Sequence, residues 1–335
     1  MDKISTCRAA YLIPFIDVLH DIGAPVEREL ARAKLPKMVE ETPDEFISNI
    51  LVDEFLADSE RREGVDDLGW LWAERFSSST FSTELLAALR PMPTVKSRLD
   101  RFASLSRLED SDVGVGVIKS NGSAAVFCDI PPVEGMNGLH ISEWTQVMVL
   151  IEIIRSITGK TWFPDEIRFK SDFKVGQAAR KANPNTRFIT HSAHTSIILP
   201  SSVLAASNLT NGSAQVPEPN APPYPDPTDH LKRLIRPYLR EGSPKIEVFA
   251  EVAGASPRSL QRKLKQSGLC YSKLIETARF EMAAEMLRES DISLIDVAMM
   301  FGYENQSNFG RSFRRVAGMS PGKYRREMLG LDRAA

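Results

Sequence analysis

Cysteine is nearly absent from these 335 residues: Cys7, Cys128 and Cys270 are the whole complement. Odd in number and far apart, they supply neither a disulfide frame nor a zinc spacing, which fits a reducing cytoplasm. No apolar run approaches the ~18 residues that a membrane span requires. The longest, Val147 to Ile154, is interrupted by Glu152. The opening MDKISTCRAA lacks the apolar segment of a signal peptide. A cytoplasmic protein with no membrane partner is expected. Catalytic signatures are missing as well: no GxSxG, CxxC or HExxH occurs, and no enzyme is expected. His191 and His194 form a bare pair without a nearby Cys or acidic residue, which is weak as a metal site. Thr158-Gly159-Lys160-Thr161 resembles the end of a phosphate loop, but Ile154 stands where the earlier glycine is needed. No catalytic residue, metal or cofactor is therefore expected.

What is present is enough apolar residue, 42%, to build sizeable cores in about two domains. The net charge of -2 conceals a division. From Asp229 to Ala335 there are 19 Lys and Arg against 13 Asp and Glu, leaving 23 against 31 in the rest. The basic third suits a polyanion and the acidic remainder does not. Two jobs are implied.

Taken in order, the first hundred residues read mainly as helix. Leu12, Phe15, Ile16 and Leu19 share a face that ends near Gly23, and Pro25 suits the first turn of a short second helix. Thr42-Pro43-Asp44-Glu45 has the form of a capping box, so the following helix is expected to bury Phe46, Ile47, Ile50, Leu51 and Phe55. Val95, Leu99 and Phe102 repeat the helical spacing behind Thr94. The period then changes: Val113, Val115 and Val117 alternate, Asn121-Gly122 supplies a hairpin turn, and Ala124 to Ile130 returns as a second strand. Ile141 to Thr158 is an apolar helix stopped at Gly159, while Glu166 to Lys170 and Thr195 to Leu199 read as further strands. That helix is core or dimer surface, with Trp144 and Trp162 as alternative lining for a ligand pocket. The expected fold is an α+β N-terminal domain, helices plus a small sheet, over residues 1–205. Six prolines between Pro217 and Pro227 mark residues 206–228 as a linker. Helical periodicity resumes at Asp229 and continues to the end, giving an all-α C-terminal domain over 229–335.

That domain contains a repeat. Ala250 and Ala298 each precede a glycine by four, at Gly254 and Gly302. Leu260 and Leu264 correspond to Phe309 and Phe313, and Arg262 to Arg311. The offset is 48 before the turn and 49 after it, so the second turn is one residue longer. A small residue lets two helices approach, glycine adopts the angles of a sharp turn, and the apolar pair pins the second helix on the first. Two helix-turn-helix units follow, joined by one long helix from Tyr271 to Glu289. At 1.5 Å per residue it is roughly 28 Å long, close to the ~34 Å between major-groove faces on one side of DNA. The helix from Gln306 carries Arg311, Arg314 and Arg315 with no acid among them, opposite Phe309 and Phe313.

These residues, together with Gly318 to Arg325 (GMSPGKYR), resemble the DNA-binding domain of AraC-family transcription regulators over about Asp229 to Arg325. Ala9 to about Ala205 is similar to the arabinose-binding-like N-terminal domain of one branch of that family. The resemblance implies base contacts from Arg258, Gln261 and Arg262 in the first reading helix, and from Gln306, Ser307 and Arg311 in the second. Arginine can grip guanine and glutamine can pair with adenine, each through two bonds. Lys263, Lys265, Arg314, Arg315 and Lys323 are expected on phosphates, which position without specifying. Gly310 departs from the family in a slot that often carries a small polar side chain. Implied partners are double-stranded promoter or operator DNA, a small-molecule effector of unknown identity, a second copy of the chain, and RNA polymerase as one the family allows. The N-terminal domain senses that effector and dimerises; the alternative is that it only dimerises or meets a protein. An enzyme with a DNA-binding tail, such as an alkyl-transfer repair protein, needs a zinc-binding cysteine cluster that Cys7 alone cannot supply.

Overall fold

The computed structural model describes residues 4–130, 138–207, 227–289 and 291–329. The chain divides into two compact units, one of Ser5–Leu35 with Asn49–Pro223, the other of Met1–Ile4, Pro36–Ser48 and Tyr224–Ala335. Residues 208–226 of the expected linker lie outside the described residues.

The first unit begins with strand β1 (Thr6–Arg8) and helices α1 (Ile13–Asp21) and α2 (Val26–Arg32). Strand β2 (Phe46–Ser48), which groups with the other unit, precedes α3 (Asn49–Glu63). Here the sequence reading is corrected: Phe46 and Ile47 are extended, and the helix starts only at Asn49. The apparent capping box is used otherwise. The Thr42 hydroxyl donates to Met38 O (3.1 Å), and Glu45 pairs with Arg236 (3.0 Å). A carboxylate engaged by an arginine cannot reach back to cap a helix.

Helices α4 (Leu68–Arg75), α5 (Thr83–Leu89) and α6 (Val95–Leu105) follow. Thr94 closes a capping box on α6, with Ser97 N–H on its hydroxyl (3.1 Å) and Thr94 N–H on the Ser97 hydroxyl (3.0 Å). Strands β3 (Gly114–Ser120) and β4 (Ser123–Asp129) pair antiparallel across the Asn121-Gly122 turn. With β5 (Glu166–Arg168), β6 (Arg187–Ile189) and β7 (Ser196–Pro200) they form a sheet of order β3-β4-β7-β5-β6. All neighbours are antiparallel except β5 and β6. Two short helices, α8 (Gln177–Ala182) and α9 (Ser201–Ala205), flank the later strands.

Helix α7 (Leu139–Thr158) is the spine of this unit. Val147, Leu150, Ile151 and Ile154 have no exposed surface, so the apolar run is core and not a dimer face. An apolar helix of this kind needs cover on most sides, and α4, α6 and the sheet give it. Trp144 packs on Trp70 (5.1 Å between rings) and Phe169 (4.9 Å). Gly69 is the reason the helices come so close: a Cβ there would stand 2.5 Å from Trp144 Cδ1. Buried Glu143 ties α7 to the sheet side, accepting from Lys170 N–H (2.6 Å) and the Thr195 hydroxyl (2.6 Å).

The other unit is built on α10 (Pro227–Leu239), which buries Leu231, Leu234, Ile235 and Leu239. Arg236 donates to Glu45 and to Glu285, and the Arg233 guanidinium stacks on Phe46 at 5.0 Å. Then come α11 (Ile246–Val252), α12 (Pro257–Gln266), α13 (Tyr271–Glu289), α14 (Leu294–Met300), α15 (Gln306–Ala317) and α16 (Pro321–Met328). The result is an α+β unit and a mainly helical one.

Candidate nucleic-acid interface

The duplication seen in the sequence is repeated bond for bond in the backbone. After α11, Gly254 N–H donates to Glu251 O (2.9 Å) and Ala255 N–H to Ala250 O (2.8 Å). After α14, Gly302 N–H donates to Met299 O (3.0 Å) and Tyr303 N–H to Ala298 O (3.0 Å). Both glycines sit in the left-handed region, at φ +62 and +69, where a side chain would be strained. Each second helix then opens on a side-chain cap. The Ser256 hydroxyl accepts from Ser259 N–H (3.2 Å), and Asn305 Oδ1 from Asn308 N–H (2.9 Å). The second cap comes one residue later after its glycine, which is the extra turn residue.

The apolar pairs fix which face looks outward. Leu260 and Leu264 are buried on α12, as are Phe309 and Phe313 on α15. Phe313 stacks edge-on against Tyr324 (5.4 Å) and beside Phe280 of α13 (4.9 Å), so the GMSPGKYR segment is part of that core. Opposite them, Arg258, Gln261 and Arg262 are exposed, at spacings of three and four that put them on one face. On α15, Gln306 and Ser307 open the helix and Arg311 follows; all three are exposed. The Arg311 guanidinium donates to Asn308 Oδ1 at 2.6 Å, which orients it along the helix. Gly310 lies between these positions, and a Cβ added to it meets nothing within 4 Å. Packing does not demand glycine there.

The five expected phosphate-contacting residues differ in what else they hold. Among the described residues, Lys265 and Arg314 are exposed and have no ion-pair partner. Arg315 donates to Glu276 of α13, and Lys323 stands 3.5 Å from Glu327. Lys263 is half-buried and is not free of partners. Burial alone would raise the Glu276 carboxyl, but hydrogen bonds from Lys273 and Arg315 outweigh it and hold it below its usual range. No local pattern marks that acid as part of the basic face, since it lies 39 residues from its partner.

A cavity of about 80 Å³ lies in the α+β unit. Its wall comes from α1, α3, α6, β4, α7 and the segments beside them. Neither Trp144 nor Trp162 lines it: Trp144 is fully buried in the core instead. His194 turns its Nδ1 to Asp129 and its ring to Phe127 (5.2 Å), and no group of three or more metal-ligating side chains occurs among the described residues. No described helix is long and apolar enough to cross a membrane.

Known proteins match both parts. A helix-turn-helix domain model matches residues 249–327, and the model of the N-terminal arabinose-binding domain of AraC transcription regulators matches residues 23–205. The transcriptional regulator VirS of Mycobacterium tuberculosis is 29% identical over 167 residues, 50% of this chain and 42% of VirS. The chain thus spans less than half the length of that relative. The probable transcription factor PqrA of Proteus vulgaris is 34% identical over 98 residues, 29% of this chain and 80% of that protein. Among solved structures, the regulator CdpR of Pseudomonas aeruginosa covers 90% of this chain and 96% of its own at 19% identity and a TM-score of 0.38. The DNA-binding domain of AdpA, solved with a target DNA, covers 33% and 99% at 25% identity and a TM-score of 0.28. With the N-terminal match alone spanning more than half of the 335 residues and a helix-turn-helix match following it, the chain belongs to the AraC family of transcription regulators.

Proposed function

We propose that the protein is a ligand-responsive, sequence-specific DNA-binding transcription regulator. Residues 1–205 sense a small molecule and dimerise, 206–228 link, and 229–335 bind double-stranded DNA. The observation that carries this reading is the duplicated turn: two helices with identical entry bonds, matched caps and matched exposed arginines, Arg262 and Arg311. A short helix with one pinned apolar stripe and one basic, amide-bearing face is what a major groove accepts. Arg258, Gln261 and Arg262 read bases from α12, and Gln306, Ser307 and Arg311 from α15. Lys263, Lys265, Arg314, Arg315 and Lys323 hold phosphates.

For a ligand to change DNA occupancy, it must bind one state of the protein better than the other. A cavity within the arabinose-binding-like unit supports a sensor in preference to a unit that only dimerises. The test is fluorescence anisotropy of the full chain on a selected duplex. Arg262→Ala should weaken that duplex by about 1–3 kcal/mol and relax the preference at one base pair. Lys265→Ala should weaken all sequences alike and shallow the salt slope by about one unit. Loss of non-specific affinity alone in both variants would reject these roles.

A further inference from the structure

The cavity of the α+β unit is apolar on most of its wall, through side chains such as Phe15, Val52, Leu56, Phe102 and Val149. Its charged lining is acidic: Asp53, Glu109, Asp110 and Asp112 line it beside neutral polar groups such as Asn49, Ser142 and Gln146, while no Lys, Arg or His does among the described residues. The acids are not equivalent. Glu109 is neutralised inside the protein, receiving Arg8 (2.9 Å), the Tyr11 hydroxyl (3.1 Å) and Ser82 N–H (3.0 Å). Asp53 and Asp110 are met by neutral donors only. The Ser142 hydroxyl donates to Asp53 Oδ1 (2.6 Å), whereas Asp110 takes the Asn49 amide (3.1 Å) and Asp112 N–H (2.7 Å). Asp53 is 8% exposed, and the hydrogen bond it accepts from Ser142 falls on Oδ1 and not on Oδ2.

A buried carboxylate without a cation is costly unless something outside the chain completes it. Burial accordingly pushes Asp53 up to about 6 and Asp110 up to about 7. The ligand chemistry that repairs this arrangement is a positive charge on an apolar body. A carboxylate ligand would add a like charge. A sugar brings no charge to meet the two buried carboxylates. A volume of about 80 Å³ is narrow, and an unbranched aliphatic chain threads such a space more readily than a ring.

We infer that the cavity binds a small organic cation, its ammonium group held by Asp53 and Asp110 and its aliphatic chain lying against Phe15, Leu56 and Val149. This rests on the ligand-responsive reading above and names the class of effector. Such a molecule is an alkylamine or a decarboxylated amino acid in its chemistry.

The test is calorimetric titration of the full chain at pH 8 with n-pentylamine, n-pentanol, pentanoate and arabinose, with operator affinity measured in parallel. Pentylamine should bind about tenfold or more tightly than pentanol, the strength of a charge-assisted contact, with pentanoate and arabinose silent. Asp53→Asn and Asp110→Asn should each weaken pentylamine about tenfold and leave pentanol unchanged. Their unfolding temperatures should not fall, because each removes an uncompensated charge. Val149→Phe should weaken both ligands alike by narrowing the apolar end. Pentanol, pentanoate or arabinose equalling pentylamine would overturn the cation assignment and leave a sensor of another class standing. Binding of none of the four would overturn the cavity assignment itself. Pentylamine binding with no change in operator affinity would uphold the cavity and overturn the ligand-responsive reading.

Discussion

A carboxylate folded into an apolar wall titrates late, and Asp110 is the clearest case. Burial, followed by the neighbouring Asp112 and Asp53 carboxylates, pushes it up to about 7, well above the ~3.9 of an unfolded chain. The folded protein therefore keeps a proton that the unfolded chain has released through the window from about pH 4 to 7. Stability from this group is complete below the unfolded value and is lost as pH rises through the folded one. Asp53, at about 6, acts in the same direction over a narrower window. Asp110→Asn should thus be more stable than the parent at pH 8, on the order of 1–3 kcal/mol, with a smaller difference at pH 5. Denaturant unfolding at the two pH values measures it. Gly69 makes a different residue-scale claim. Its missing Cβ is what lets α4 lie on Trp144, so Gly69→Ala should cost about 1–3 kcal/mol, read from the same denaturant curves.

Elements show where sequence reasoning succeeds and where it stops. The long α13 and helix α15 were legible at their boundaries, Tyr271–Glu289 and from Gln306, because periodicity, glycine turns and caps agree there. The hairpin of β3 and β4 was legible from alternation and Asn121-Gly122. Strand β6 was not, because it is defined by its parallel pairing with β5 and not by a local pattern. At β2 the local pattern favoured a helix, but Glu45 and Phe46 are taken by Arg236 and Arg233, almost two hundred residues away in sequence. The cavity was unreadable for the same reason: Cys7, Asn49, Phe102, Cys128 and Gln146 meet only after folding. On the basic face, the contact between α13 and α15 yields a prediction. Glu276 holds Arg315 by an ion pair. Glu276→Gln should release that guanidinium and remove an acid, tightening non-specific DNA binding and steepening the salt slope by about one unit. Anisotropy against salt concentration on an arbitrary duplex checks it.

At the scale of the whole molecule, the charge division and the two units run together: the basic third of the chain carries both helix-turn-helix turns, and the acidic remainder carries the cavity. We propose that both turns read bases and that Arg262 and Arg311 do so at separate places. Selection from a randomised duplex pool, run with the full chain and with Arg262→Ala and Arg311→Ala, tests it most directly. Each variant should lose preference at a different base pair, the two lying about one helical turn, ~10 bp, apart. If both variants selected the parent's sequence unchanged and only bound more weakly, the arginines would be phosphate contacts and the claim of two reading helices would fail.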